Sequence, residues 1–589
     1  MAMFNRRASF TLVELLVIIA IVGLLSALII IAVNQALIKG RDARRMGDIK
    51  QITNALELAL SFDNSYPIPT GNITVCLSVC AVVSPPAWCT GLLAQMSSIP
   101  NDPLPNQQCY LYNSDGANFR VAAKFEASSN DIMAQNDGGL YSQYFEGQST
   151  PGLILIVRPI YASTAGGNWS SDSGTWVTSS GGSIVTTHPV AGDTAILDAN
   201  SGAVTVDTAS ACNDITATGY TGTLTLSAGL TIYGNLLFVA GMTFTPGTQT
   251  VTFAATTTGK TITTGGKSFY NVTWNGSGDW TLQDNFTVSG SIAMTLGTLN
   301  LNGKTLSKGG SGQTLTLGNG FTLNIGTGAF STGNNLKLVV PTGAIVTAST
   351  GAFIGVSLTV SGTGTWTFTG AGYVYLNGDN GTLAISSSNW TPATSTIYIA
   401  SGSYTITVNT NQPLYNFVVG RAGVNASSAV VLQANLTVQN DFTILYYAGR
   451  IRTFNAGSYT INVGGNWANG DTFTAGTSTV NFNDATKTST ISGTTTFYNF
   501  TSTTPNKAIR FTAGTTQTFT SFALTGTAGN LITIDTDTGA STFTLSDGAG
   551  TNQVYYTSVT RSAAGGGATW NAFVADGNVD GGSNTGWAF

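Results

Sequence analysis

Carboxylates are the residues of this chain best suited to chemistry, because other catalytic side chains are scarce. His188 is the single histidine, and no glutamate follows Glu146. Asp535 and Asp537 flank one residue, so on a strand both would project from the same face. Glycoside hydrolysis uses two such carboxylates. No histidine or lysine lies near them in sequence, and we therefore do not expect an enzyme, although a polysaccharide-active enzyme remains one hypothesis.

A short C-terminal segment carries the pattern of a metal loop. Asp576, Asn578 and Asp580 alternate with other residues and are followed by Gly581, as in the first half of an EF-hand calcium loop. The twelfth position is Trp587, which cannot supply the usual bidentate carboxylate. A calcium site at the three oxygen-bearing residues is one hypothesis, and a polar turn is the other. No other cofactor is expected.

Four cysteines lie close together in the first quarter of the chain: Cys76, Cys80, Cys89 and Cys109. In an exported protein such cysteines form disulfides, and four of them allow three complete pairings that the sequence does not distinguish. Zinc bound by all four thiolates is the alternative. Cys212 stands apart, and we expect it to be a small buried side chain.

The N-terminal region contains an apolar stretch that begins directly after an acidic residue. Leu15 to Val33 covers 19 residues without a charge, which is about the length of a helix that crosses a bilayer. Glu14 lies at the start of this stretch. A lone carboxylate is costly there, so we expect it to have a cationic partner.

The segment Phe10-Thr11-Leu12-Val13-Glu14, preceded by two arginines, resembles the class III signal of type IV pilins and pseudopilins. The resemblance implies cleavage between Ser9 and Phe10 by a prepilin peptidase, and N-methylation of Phe10. It also implies that Glu14 pairs with the N-terminal amine of a neighbouring subunit and so sets the filament register. The sequence departs from the family at Ser9, where Gly or Ala is usual, and at Ile31, where many pilins have proline.

The elements that follow fit a pilin-like organisation. We expect a leader at 1–9, a long helix at 10–62 and a small α+β head at 63–146. Apolar residues at helical spacing continue the helix beyond the membrane segment. Tyr110 to Phe125 is typical of a hairpin. Ile99-Pro100-Asn101-Asp102-Pro103 resembles a segment of the major pseudopilin of type II secretion, which implies a head of that kind.

Composition excludes several classes of function. Only 8% of the 589 residues are charged, and the net charge is −5. A nucleic-acid-binding surface needs clustered lysine and arginine, so no nucleic-acid partner is expected. The hydrophobic fraction of 42% is too high for a charge-rich disordered chain.

After a boundary segment at 147–166, the region 167–589 predicts many short strands. Thr, Ser, Gly and Asn alternate there with single apolar residues. One pattern recurs three times: Thr248–Phe253, Thr394–Ile399 and Thr477–Phe482 are each followed at a similar distance by a Tyr-Asn pair. Repeats of strands without helices favour a parallel β-helix. Tandem β-sandwich modules are the alternative.

These features together predict a structural subunit of a type IV pilus-like surface filament that displays a large β-solenoid for adhesion. The alternatives are a pseudopilin of a secretion or DNA-uptake system and a pilin-anchored enzyme. The expected partners are other copies or other pilins, the prepilin peptidase, an inner-membrane assembly platform and membrane lipid. An extracellular surface or glycan ligand is expected but not identified. The chain would span the cytoplasmic membrane once before assembly and lie in an extracellular filament afterwards.

Overall fold

A computed structural model describes most of the chain beyond its N-terminus. In the first helix it describes side chains only from Val33 onward. The described residues are 12–69, 75–81, 85–104, 109–114, 116, 118–127, 144–149, 159–171, 174–177, 180–181, 188–310, 312–332, 336–378, 380–400, 402, 405–539 and 541–589. They divide into two compact units, Met1–Ile160 with Pro189–Thr194, and Tyr161–His188 with Ala195–Phe589.

The first unit is built on one long helix, α1 (Leu12–Asp63). Ile49, Ile52 and Leu56 are buried on one face and form the core of this unit. The helix ends where Asn64 adopts a left-handed conformation (φ 54°) and donates its N–H to the carbonyl of Leu60 at 2.9 Å. Asparagine tolerates this conformation, which closes the last turn.

A four-stranded antiparallel sheet packs on the buried face of α1. Its strands, in spatial order, are β1 (Val75–Cys76), β2 (Leu111–Ser114), β3 (Phe119–Lys124) and β4 (Tyr144–Gln148), accompanied by a 3₁₀ helix (Leu77–Ala81) and α2 (Cys89–Leu93). The expected hairpin is present as β2 and β3. Gly147 allows the closest approach, because a Cβ there would lie 2.1 Å from the Thr53 hydroxyl of α1.

The second unit consists almost entirely of short strands. Strands β5 to β22 are, in chain order, Pro159–Ala162, Gly167–Asn168, Trp176–Val177, Thr194–Asp198, Val204–Val206, Ser210–Cys212, Asp214–Thr218, Thr223–Leu226, Leu230–Ile232, Leu236–Leu237, Thr243–Thr245, Thr250–Phe253, Lys260–Thr263, Ser268–Phe269, Asn271–Leu282, Phe286–Val288, Ile292–Asn300 and Thr305–Lys308.

The central turns continue the same pattern. Strands β23 to β40 are Gln313–Thr316, Phe321–Gly326, Ala329–Ser331, Leu336–Val340, Ile345–Ala348, Ala352–Gly355, Ser357–Val360, Thr365–Phe368, Tyr373–Leu376, Thr382–Ile385, Trp390–Thr391, Thr396–Ile399, Thr405–Thr410, Asn416–Val419, Ser428–Leu432, Leu436–Val438, Phe442–Ile444 and Arg452–Asn455.

The C-terminal turns complete the unit and include a short 3₁₀ helix (Val574–Asp576). Strands β41 to β57 are Thr460–Val463, Trp467–Asn469, Thr472–Thr474, Thr479–Phe482, Thr488–Gly493, Asn499–Ser502, Ala508–Phe511, Thr516–Phe519, Ser521–Thr525, Ile532–Thr536, Phe543–Asp547, Thr551–Tyr555, Thr557–Val559, Ser562–Gly565, Thr569–Asn571, Val579–Asp580 and Trp587–Ala588.

These strands form a parallel β-solenoid of about 18 turns, regular from about residue 194 to the C-terminus. Nearly all turns contribute strands to long sheets, two of which contain 15 strands each. The pairing in these two sheets is parallel except between β5 and β7, which end one of them. The prediction of a β-helix is therefore confirmed, and the alternative of tandem β-sandwiches is wrong, because the strands pair in parallel from turn to turn. Turn length is uneven, since stacked side chains hydrogen-bond across 19 residues in one place and 25 in another.

The threefold sequence repeat is a pair of stacked strands. Thr250 pairs with Asn271, Thr396 with Asn416 and Thr479 with Asn499, each on the following turn. In the second and third copies the asparagine Nδ2 donates to the threonine hydroxyl, at 3.3 and 3.2 Å. The three copies lie in three different sheets, which explains why their spacing along the chain is irregular.

Aromatic side chains fill the solenoid interior and continue from turn to turn. Phe417, Phe442 and Trp467 stack with centroid distances of 5.8 and 4.3 Å. Further along, Phe500 is fully buried and contacts several rings of adjacent turns, including Phe522 at 5.2 Å. Alternation along each strand puts these rings inside and the Thr and Asn side chains outside.

We expect Phe500→Ala to destabilise its own turn and the neighbouring turns by about 3–5 kcal/mol, through lost burial and the cavity left behind. Because solenoid turns contact mainly their neighbours, the effect should be local. Hydrogen exchange should accelerate in residues 479–525 and not in residues 204–300. Tyr555→Ala, at a ring that is 39% exposed, is the control and should change little. Uniform acceleration along the solenoid would contradict this expectation.

Candidate functional site

The predicted processing and assembly residues lie outside the part of the chain whose side chains are described. Ser9 and Phe10 precede the described residues, and the side chains of Glu14 and nearly all of Leu15 to Val33 are also outside them. Within the part of the chain that the structure describes, no helix is both long and apolar enough to span a membrane. Cleavage, N-methylation and the register role of Glu14 stay predictions.

The four clustered cysteines form two disulfides. Cys76 pairs with Cys109 and Cys80 pairs with Cys89, with Cα–Cα distances of 5.7 and 5.5 Å. The prediction of disulfides is confirmed, and the structure selects one of the three pairings that the sequence left open. Zinc bound by four thiolates is excluded, because all four sulfurs are in disulfides. Cys212 is buried in the solenoid, as expected.

A buried ion cluster joins α1 to the head. Arg45 is fully buried, and its guanidinium donates two hydrogen bonds to the carboxylate of Asp102, at 2.7 and 2.8 Å. It also donates to Asp42 at 2.8 Å and to Glu126 at 2.5 Å. Arg41 donates to Glu126 from the same helix. Asp102 is the aspartate of the Ile-Pro-x-Asp-Pro segment. In this structure it accepts the hydrogen bonds of Arg45.

The cluster shifts the ionisation of its members. Burial alone would lower the pKa of Arg45, but the hydrogen bonds that Arg45 donates to Asp102 and Glu126 outweigh it and raise the pKa. The hydrogen bond from Arg41 lowers the pKa of Glu126, despite some burial. Asp42 further accepts the backbone N–H groups of Glu126 and Ala127 at 3.0 Å each. The cluster therefore stays charged and couples the helix to the end of β3.

The carboxylates considered for catalysis serve the solenoid turns. One oxygen of Asp535 accepts hydrogen bonds from both Arg510 and Arg561, which lie on the turns before and after it. Asp537 accepts the backbone N–H of Ala513 at 3.0 Å. The pair that looked suited to hydrolysis is thus held separately, one member in ion pairs and the other in a turn. Enzymatic activity remains an untested hypothesis.

The three residues of the calcium hypothesis also take part in turn contacts. Asn578 is buried, its Oδ1 accepts the Thr557 N–H at 2.8 Å, and its Nδ2 donates to backbone carbonyls. Asp576 accepts from Gln553, and Asp580 from Gly582, both at 2.9 Å. Among the described residues, no group of three or more His, Cys, Asp or Glu side chains is placed to hold a metal ion. Calcium binding here stays a prediction.

Sequence reasoning missed a surface cluster in the middle of the solenoid. We call it the tyrosine–arginine surface: Tyr373, Tyr375, Tyr398, Arg421, Tyr446 and Arg450. The guanidinium of Arg421 lies 4.8, 4.7 and 5.7 Å from the ring centroids of Tyr373, Tyr375 and Tyr398. It also donates to the Tyr373 hydroxyl at 3.2 Å. The rings come from β31 and β34, which are neighbours in one sheet.

Arg452 holds the loops that carry the rest of this surface. Its guanidinium is buried and donates to the carbonyls of Val424 at 2.8 Å and Leu445 at 3.1 Å. These carbonyls belong to loops on consecutive turns, and burial lowers the pKa of Arg452. Gly420, with φ 96°, leaves room for Arg452, because a Cβ there would lie 2.6 Å from the guanidinium carbon. Tyr446 and Arg450 project from the second loop.

No protein-family model, curated protein or solved structure matches this chain. The class of protein is therefore defined by its own fold. It is a parallel β-solenoid protein with an N-terminal helix and a small disulfide-linked head.

Replacing Arg45 should destabilise the head far more than replacing its neighbour Arg44. Arg45→Met leaves the buried carboxylates of Asp42 and Asp102 without their cation, at a cost of about 3–5 kcal/mol. Arg44 is largely exposed and its contact with Asp48 is 3.6 Å long, so Arg44→Met should cost less than about 1 kcal/mol. Denaturant titration followed by hydrogen exchange of residues 111–124 measures both. Equal effects of the two substitutions would show that the cluster does not stabilise the head.

The head should lose stability in acid through Glu126. Its folded-state pKa lies below the ordinary 4.5, so its contribution is present above pH 4.5 and is lost as pH falls through the lowered folded value. We expect Glu126→Gln to remove part of the pH dependence of head unfolding below pH 4.5. Hydrogen exchange of head peptides separates this change from acid effects on the solenoid. An unaltered pH profile in the variant would contradict the assignment.

Proposed function

We propose that this protein is a structural subunit of a type IV pilus-like filament and that its solenoid is displayed outward for adhesion. The observation that carries the proposal is the sequence of the N-terminus. A basic leader, Phe10, and Glu14 at the start of an uncharged stretch of 19 residues together fit a subunit that is processed and then assembled through its helix. Removing Glu14 from water is tolerable only if a cation meets it.

The first unit supports this proposal. A filament subunit of this kind needs a helix that is apolar at its start and attached to a globular head further on. Here α1 packs its buried face, including Ile52 and Leu56, on an antiparallel sheet. Two disulfides cross-link the head internally. The Arg45 cluster connects the head to α1. Disulfides also fit an oxidising compartment outside the cytoplasm.

The solenoid supports display rather than catalysis. It is the larger of the two units, and its outer surface is uncharged over long rows of Thr and Asn. Its largest exposed aromatic, Tyr446 (71% exposed), belongs to the tyrosine–arginine surface. Exposed aromatic and arginine side chains are typical of contact surfaces. We assign the adhesive contact to this side of the solenoid.

The pseudopilin alternative rests on the Ile99–Pro103 segment, whose Asp102 receives Arg45. This contact explains the segment by the stability of the head, so it does not favour secretion over display. The enzyme alternative would need an active carboxylate pair, and Asp535 is engaged by two arginines. We therefore favour the filament subunit over both alternatives.

Mass spectrometry of filaments sheared from cells tests the proposal. We expect a mature chain that begins at N-methyl-Phe10 and is enriched in the filament fraction. Glu14→Gln should leave the amount of membrane protein unchanged and reduce filament incorporation by about tenfold or more, since the buried amine loses its partner. Lys50→Gln, which also neutralises one charge on the same helix, is the matched control. An unprocessed chain retained in the membrane, or normal assembly of Glu14→Gln, would overturn the proposal.

A further inference from the structure

Arginines divide into two groups in the described part of the chain. Six arginines form ion pairs with carboxylates: Arg41, Arg44, Arg45, Arg120, Arg510 and Arg561. Arg421, Arg450 and Arg452 form no ion pair within the described residues, and all three belong to or lie beneath the tyrosine–arginine surface. The carboxylate of Asp471 lies beside Arg452, whose backbone N–H it accepts at 2.9 Å, and it offsets part of this charge. Arg421 and Arg450 therefore supply the positive charge of the patch.

The three guanidiniums have different tasks. Arg452 is buried, donates to backbone carbonyls and positions the two loops, so its charge contributes mainly through space. Arg421 lies within 6 Å of the centroids of three tyrosine rings, and part of its surface is open to solvent. Arg450 is exposed, and its described hydrogen bond goes to the neutral side chain of Asn425. Arg421 and Arg450 can each offer N–H groups to an anion.

Apolar groups surround these cations. Ile354, Tyr375, Tyr398 and Val418 occupy the same outward row on four consecutive turns, although Tyr375 is buried beneath Arg421. Elsewhere along this row the residues are small or polar, such as Ser331 before it and Thr443 after it. Tyr446 and Ile451 on the adjoining loop are 71% and 66% exposed. Aromatic rings of this kind stack on the C–H faces of sugars.

We propose that the tyrosine–arginine surface binds an acidic polysaccharide, with a sugar ring on the exposed Tyr446 and its carboxylates on Arg421 and Arg450. This inference rests on the proposed adhesive function and names the class of ligand. A linear polymer suits the site, because contact residues repeat on consecutive turns about 4.8 Å apart along the solenoid axis. Nucleic acid suits it less well, because two exposed cations are fewer than a phosphate backbone requires.

Binding of polygalacturonate to the purified full-length protein tests this inference. Its methyl-esterified form supplies the same sugar backbone without the charges, and double-stranded DNA supplies charge without the sugars. A calcium chelator in the buffer prevents cross-linking of uronate chains. We expect polygalacturonate to bind about tenfold or more tightly than either of the other two polymers.

Variants locate the site. Arg421→Gln and Tyr446→Ala should each weaken polygalacturonate binding by about tenfold. Arg510→Gln, an arginine elsewhere on the solenoid that is paired with Asp535, is the matched control and should leave binding unchanged. Tyr446 is exposed, so we expect Tyr446→Ala to fold normally, and an unchanged melting temperature checks this.

Several outcomes would overturn the inference. These are no binding of polygalacturonate, equal binding of its esterified form, equal binding of DNA, or full binding by both patch variants. The result is independent of filament assembly. If binding occurs but Glu14→Gln assembles normally, the ligand assignment stands and the filament mechanism fails. If incorporation depends on Glu14 but no acidic polysaccharide binds, the filament proposal stands and this inference fails.

Discussion

Each strand of the solenoid presents its backbone N–H and C=O groups along the long axis, where the next turn must satisfy them. Unpaired backbone groups are costly, so a turn is stable only between two others. This constraint explains the composition of the unit. Outward positions carry Thr and Asn, which continue the hydrogen bonding in side-chain ladders such as Asn300 to Asn324 at 2.6 Å. Inward positions carry aliphatic and aromatic residues that stack from turn to turn.

Alternation and repeats predicted a stacked β architecture from the sequence and favoured a β-helix over β-sandwich modules. The match between Thr396–Ile399 and Thr479–Phe482 identified strands that stack in the same way, because a Thr on one turn meets an Asn on the next. The sequence did not show that the copies occupy different sheets. Turn length varies with loops that sequence patterns do not delimit, and the stacking partner of a strand depends on that length.

In the head, the sequence predicted the elements formed by neighbouring residues but not the contacts between residues far apart in the chain. The helix and the β2–β3 hairpin were evident, since both arise from neighbouring residues. The contact of Arg45 with Asp102 was not, because it joins residues 57 positions apart. The disulfide pairing was likewise open. The tyrosine–arginine surface was missed for the same reason, as its members come from four separate strands and loops.

The axial direction of the backbone hydrogen bonds has a mechanical consequence. A pull along the solenoid axis loads each interface between turns in tension and can peel one turn before the next is strained. Extension would then release chain in steps of a single turn and limit the peak force on an attached ligand. The tyrosine–arginine surface lies midway along the solenoid. For a load applied there and borne by the N-terminus, only the turns before Tyr373 would act as this extensible element, and the C-terminal turns would remain slack.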